Sequence, residues 1–183
     1  PCVITQTAHG LTDGDVIKIT GVEGMTELND GVFVIQKLTA NTYSLLDVDS
    51  TDYGTYTREG QVDEGLFSRL CELTGFNRQG GSSPEIPATS QCSTAQEFEI
   101  GLPDFGSISV DYKFAPQNSV QAALQDFYLS GDTCAYKVTL PSTGGVMVGL
   151  GFIQQTSEQA SVGGLWTGSL TMRCTGQRQD FAA

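Results

Sequence analysis

Histidine is nearly absent: His9 is the only one in 183 residues. Cations are also scarce, with 9 Lys and Arg against 21 Asp and Glu, a formal charge of −12. A nucleic-acid binder shows the reverse balance, because neutralising phosphates takes cations. The five cysteines, Cys2, Cys71, Cys92, Cys134 and Cys174, are odd in number and never form a CxxC pair. They read as ordinary buried thiols of a reducing compartment rather than a disulfide framework or zinc site. No apolar run approaches the roughly 20 residues that cross a bilayer, which argues against a membrane partner. No signal peptide is apparent, and the chain starts at Pro1 without Met.

Catalytic and cofactor patterns are missing as well. The lone His9 lies in a His-Gly-Leu-Thr turn with no nucleophile or carboxylate spaced to use it as a base. Asp13-Gly14-Asp15 lacks the alternating oxygen ligands of a calcium loop. The Gly-rich run Gly144 to Gly151 has no following Lys-Ser/Thr, and Gly80-Gly81-Ser82-Ser83 lacks the strand-turn-helix setting of a nucleophile elbow. The expectation is no enzyme, no cofactor and no metal, with the function lying in surfaces.

What is present divides in two. From Pro1 to Val62 turn signals alternate with short β-rich runs, Val16 to Thr20, Val32 to Leu38 and Asn41 to Val48, which predicts a small antiparallel β module over 1–62. Asn29-Asp30-Gly31 is a tight-turn signal, since all three residues tolerate positive φ. From Asp63 to Ala183 the chain is mixed. Leu66 to Phe76 fits a strand or a helix, and Asn77 to Ser93, rich in Gly, Ser, Thr and Pro, reads as a long surface loop.

Ile108, Val110, Tyr112 and Phe114 then alternate with Ser107, Ser109, Asp111 and Lys113, as in a half-buried strand. Between Pro116 and Gly131 the period changes: Val120, Ala123, Leu124, Phe127 and Tyr128 make one apolar helical face. Cys134 to Leu140 alternates again and turns through Pro141 to Gly145 into Val146 to Gln154, a hairpin. In the last strand, Leu165 to Thr175, Trp166, Leu170, Met172 and Cys174 share the apolar face, opposite Thr167, Ser169, Thr171 and Arg173. The fold class expected is mainly β: a sandwich or barrel with one covering helix over 63–183, plus the N-terminal module.

The run "CELTGFNRQGGSSPEIPATSQCSTAQEFEIGLPDFGSISVDYKFAP", with the amphipathic helix, the Leu-Pro hairpin and the closing "LWTGSLTMRCTG", resembles the major tail tube proteins of long-tailed bacteriophages. Pro87 departs from that family's pattern, which usually continues a β-like segment there. The first part, "ITQTAHGLTDGDVIKITGVEGMTELNDGVFVIQKLTANTYSLLDVDSTDYGTYTREGQ", is similar to the small β module of the catalytic-cysteine half-domain of ubiquitin-activating enzymes. It carries none of that enzyme's activity and implies an ornament on the outside of a tail.

The resemblance implies a virion structural protein assembled in the bacterial host cytoplasm. Six copies would close into a ring whose strands form one continuous barrel, and rings would stack into a tube. It also implies contacts with other tail proteins at the tip and terminator, and phage DNA passing through the lumen without specific binding. Alternation then makes Ser107, Ser109, Asp111, Lys113, Thr167, Ser169, Thr171 and Arg173 the candidates for the lumen. Gly80, Gly81, Ser82, Ser83, Pro84, Glu85 and Ile86 are the candidate ring-contact loop. The competing reading is a monomeric adhesion or carbohydrate-binding module, with Trp166, Tyr43, Tyr53 or Tyr56 stacking on sugars, although Trp166 on the apolar face favours a core role.

Overall fold

The computed structural model describes residues 1–65, 67–140, 144–160 and 162–182. Strands β1 (Cys2–Thr5), β2 (Val16–Thr20), β3 (Val32–Lys37), β4 (Thr42–Leu45) and β5 (Gln61–Gly65) form an antiparallel sheet in the order β1-β4-β3-β2-β5. The fifth strand straddles the 62/63 position at which the composition changes. Ile17, Ile19, Leu28, Ile35, Tyr43 and Leu45 fill its core. Asp30 takes the positive φ expected of the Asn29-Asp30-Gly31 turn, at +62°. That turn closes a longer connection containing a single 3-10 turn, Thr26–Leu28.

His9 is structural: its Nδ1 accepts from Leu11 N–H at 3.0 Å, so the neutral ring donates from Nε2 to the Thr39 carbonyl at 3.0 Å. Asp13 and Asp15 accept from the backbone of Lys37 and Thr12, as turn residues do.

Strands β6 (Leu73–Gln79), β7 (Glu85–Pro87), β8 (Phe98–Ile100) and β9 (Ser107–Lys113) follow, then helix α1 (Ser119–Ser130). The chain ends with β10 (Cys134–Thr139), β11 (Val146–Gln159), β12 (Thr167–Cys174) and β13 (Gln179–Phe181). The main sheet has the order β10-β11-β12-β9-β6, with β13 also on β11, while β7 and β8 pair only with each other. Ile108, Tyr112, Ile153, Leu170 and Met172 form the core on one side of the main sheet. The hairpin between β10 and β11 is present, and the Pro141-to-Thr143 part of its turn lies outside the described residues, as does Leu66.

Four expectations need correcting. The Asn77-to-Ser93 segment is not one loop: Asn77 to Gln79 continue β6, and Glu85 to Pro87 are β7. Pro87 fits there because this short strand pairs on one side only, with Phe98 opposite it, so its missing N–H breaks no ladder. Trp166 is not in the core; it precedes β12, is 56% exposed, and stacks on Phe114 at 5.9 Å between centroids. On α1, Val120 and Leu124 are half-buried but Ala123, Phe127 and Tyr128 are exposed, so only part of the apolar stripe reaches the sheet. All five cysteines are free, but Cys71 and Cys92 are exposed rather than buried.

The helix start is set by Asn118, whose side-chain oxygen accepts from Val120 and Gln121 N–H. Gln121, buried beneath it, ties the helix to the sheet by accepting from Ala115 N–H and donating to the Lys113 carbonyl.

The two parts of the chain share an interface. Val16 and Val34 from the N-terminal sheet and Val148 from β11 are buried in one cluster, flanked by Val32, Leu46, Val146, Leu150 and Phe181. Gly14, at φ +82°, lies so close that an added Cβ would sit 3.0 Å from the Phe181 ring. Gln179 Nε2 donates to Asp47 across the same seam at 2.8 Å.

Candidate functional site

The eight lumen candidates lie on one face of two adjacent strands. Antiparallel pairing sets Lys113 opposite Thr167, Asp111 opposite Ser169, Ser109 opposite Thr171, and Ser107 opposite Arg173. Residues opposite one another in a ladder point to the same side, so they form one continuous polar patch. Asp111, Lys113 and Thr167 are exposed, and the other five are half-buried.

The patch is wider than alternation within those two strands reveals. On β6, Asn77 stands opposite Ser109 and Gln79 opposite Ser107. On β11, Gln155, Ser157 and Gln159 stand opposite Thr171, Ser169 and Thr167, and the Ser157 and Ser169 hydroxyls meet at 2.8 Å. Both outer strands carry a register shift, between Leu73 and Gly75 and between Ile153 and Gln155. A bulge adds one residue and reverses which parity faces which side, so strict alternation through it fails. The polar run Gln154 to Gln159 was the signal available for the β11 contribution.

Along β11 this face changes character at the bulge. Phe152 pairs with Arg173 and therefore lies on the polar side, and alternation carries that side back to Leu150, Val148 and Val146. Those three are the residues on which the N-terminal module rests. One sheet face is thus covered by the module at one end and open and hydroxyl-rich over β12, β9 and β6.

The open part is close to neutral. Arg173 donates to Asp104 Oδ2 at 2.6 Å, so its charge is paired beside the face. Asp111 and Lys113 offset each other, and the rest of the patch is hydroxyl and amide. Behind the face, burial pushes the Tyr112 phenol above its usual range, helped by the nearby Glu158 charge. Burial likewise raises Tyr136, with Cys174 adding to it. Both phenols are held neutral, as core groups must be.

The candidate contact loop belongs to a projecting arm. Ser82 exchanges backbone hydrogen bonds with Asp104 at 3.1 and 2.8 Å, and Gly101 N–H donates to the Pro84 carbonyl. Glu85 and Ile86 pair with Ile100 and Glu99. Residues 82–87 therefore run antiparallel to 98–104, and Gly80 and Gly81 lead from β6 into the arm. Gly106 closes its base at φ +85°, where a Cβ would lie 2.2 Å from the Gln79 carbonyl oxygen. Only glycine allows both that φ and that approach. Ile86, Phe98, Ile100 and Leu102 are exposed along the arm, the last two at 82% and 89%.

Comparison with known proteins meets both resemblances expected from the sequence, one at the level of sequence and one at the level of fold. Residues 2–65 match the family model described as the ubiquitin-activating enzyme E1 FCCH domain. Ubiquitin-activating enzyme E1 1 of Arabidopsis thaliana is 48% identical over 61 residues, which are 33% of this chain and 6% of that enzyme. The chain thus spans only a small fraction of the curated relative it matches. Among solved structures, a chain in the virion of a native gene transfer agent particle superimposes with a TM-score of 0.51 at 19% identity, over 63% of this chain and 89% of that one. A chain in the tail of an empty gene transfer agent particle of C6 symmetry gives 0.51 at 20%, over 64% and 88%. Across about two thirds of its length the chain therefore has the mainly β fold, with one helix, of a virion tail subunit.

Proposed function

We propose that the protein is a structural, non-catalytic subunit of a phage-type tail tube, in which six copies close a ring and rings stack into the conduit for genome delivery. The observation that carries this reading is a hydroxyl-rich face on a sheet with two open edges, in a fold shared with a C6 tail particle. Among the described residues, edge strands β6 and β10 each leave backbone donors and acceptors without a ladder partner on one side. Pairing them between copies satisfies those groups and closes the sheet into a barrel. The face of Ser107, Ser109, Asp111, Lys113, Thr167, Ser169, Thr171 and Arg173 would then line the channel. DNA is a polyanion, and a neutral, hydroxyl-rich wall offers it no array of cations to bind, so it slides.

In this reading the arm holding Gly80 to Ile86 makes the contacts between rings. The bulge in β11 turns the end of the face that residues 1–62 cover away from the channel, so that they decorate the tube, tip and terminator proteins meet its ends, and the location is the virion tail after assembly in the host cytoplasm. Negative-stain microscopy of the purified protein at rising concentration tests it: six-fold rings and tubes are expected. A protein that stays monomeric at every concentration refutes it. The exposed Trp166 ring stacked on Phe114 favours, as a second reading, a monomeric glycan-binding module. Glycan-array binding by a monomer, lost in Trp166→Ala, would establish that instead.

A further inference from the structure

We infer that the Asp104–Arg173 ion pair is a latch that pins the β7–β8 arm to the main sheet, so that the direction of the arm and the charge of the polar face are set together. The latch is built within one chain and does not depend on the tail-tube reading. The arm is braced within itself: Ser82 and Asp104 exchange backbone bonds, Gly101 N–H donates to the Pro84 carbonyl, and Ala88 N–H donates to the Glu97 carbonyl at 2.9 Å. Towards the tip, Glu97 N–H donates to Thr89 Oγ1 at 3.0 Å. A hairpin bonded in this way moves as one piece.

Its hold on the rest of the molecule is slight. Ile86, Phe98, Ile100 and Leu102 are exposed and lie outside the three core clusters, so apolar packing does not fix where the arm points. Both of its legs contain glycine: a Cβ added at Gly80 would meet nothing within 4 Å, and Gly106 sits at φ +85°. Such backbone rotates at little steric cost. Among the described residues, one side-chain bond ties the arm to β12, the Arg173 guanidinium donating to Asp104 Oδ2 at 2.6 Å. The other oxygen of the same carboxylate accepts from Gly106 N–H at 2.9 Å, so Asp104 bridges the arm's base to the sheet.

The position of Arg173 gives the latch a second consequence. It stands on the polar face, opposite Ser107 on β9 and Phe152 on β11. An anion that reaches this face competes with Asp104 for the guanidinium. Anion binding and arm release are therefore linked, each promoting the other.

Two exposed native thiols are placed to read the arm's direction. Cys71 adjoins Glu72, whose carbonyl accepts from Lys113 N–H at the far end of β9, and Cys92 lies in the connection between β7 and β8. With nitroxides on both, and the labelled protein diluted in unlabelled chains, double electron–electron resonance gives the Cys71–Cys92 distance within one chain. Wild type at low salt should show one dominant distance, and Asp104→Asn and Arg173→Gln should raise the remaining population about fivefold, as expected for loss of a partly exposed ion pair. Arg173→Lys keeps the cation and should keep the wild-type distance. Raising NaCl to about 1 M should move the wild type toward the variants, because an ion pair this exposed is screened. One distribution shared by wild type and Arg173→Gln overturns the latch. So does Arg173→Lys behaving as Arg173→Gln, which would make the side chain a packing element. If the variants lose their circular dichroism, the wild-type salt series decides, and a distance unchanged by salt overturns the inference.

Discussion

The seam between the N-terminal module and the main sheet can be measured by a double-mutant cycle. Val148 on β11 is fully buried and Val34 on β3 is 5% exposed, and both belong to one cluster drawn from the two parts of the chain. Val148→Ala removes two buried carbons, worth about 1.6 kcal/mol at ~0.8 kcal/mol each. The cavity left behind brings the loss to about 2 kcal/mol. Val34→Ala should cost a similar amount. Because the two side chains share one cavity, the double variant should lose less than the sum, with a coupling of about 0.5 to 1 kcal/mol.

Urea unfolding followed by the single tryptophan, Trp166, is the assay. The tryptophan lies in the main-sheet part of the chain, so a shift of its transition by Val34→Ala already reports that the module and sheet unfold together. Additivity within about 0.3 kcal/mol would refute the contact. A Trp166 transition unmoved by Val34→Ala would show the module to be a tethered bead.

Three further outcomes follow from the geometry. Asn118→Ala removes the helix cap and the bond to Glu72, and should lower stability by about 1 to 2 kcal/mol in urea unfolding. Burial pushes Tyr43 up to about 12 from an unfolded value of 10.0, so its contribution is complete below pH 10 and is lost as pH rises toward 12. Stability measured against pH should therefore fall by about 2 to 3 kcal/mol more in the wild type than in Tyr43→Phe across that window, and parallel curves would contradict the buried phenol. On the tail-tube reading, Asp111→Lys adds two positive units per subunit to the channel wall, and intact tails should eject DNA slowly or incompletely. Ejection at the wild-type rate would place Asp111 off the channel or make wall charge unimportant.

The sequence made legible whatever depended on unbroken periodicity. Ser107 to Lys113 alternates without interruption and is a strand over those same residues. Asn118 to Gly131 carries a cap and a stop, and the helix fills the space between. Where the structure departs, a local device interrupts the pattern. The sequence reads Asn77 onward as loop and ends the hairpin strand at Gln154, so Asn77, Gln79, Gln155, Ser157 and Gln159 escape the reading of the polar face, and the bulges in β6 and β11 shift the parity before each of them. The arm reads as loop in the sequence because its strands are three residues long and one contains Pro87; their pairing is fixed by Ser82, Asp104 and Gly106, which are distant in sequence. Trp166 fits the alternation of β12 by count, but the ladder begins one residue later, at Thr167. Its carbonyl still accepts from Phe114 N–H, and the two rings stack at that end of the sheet.

The seam bears on what the module does for the rest of the molecule. Val146, Val148, Leu150 and Phe181 lie on the sheet face that is polar further along, and Val16, Val32, Val34 and Leu46 of the module pack on them. A chain cut at Gly65 would expose this apolar patch beside open edge strand β10, and such a combination promotes indiscriminate association between sheets. In the proposed tube, copies must pair along one route and no other. A cover on the apolar end of the face removes that patch from the surfaces free to meet a neighbour. On the tail-tube reading the module would then restrict association as well as decorate the surface.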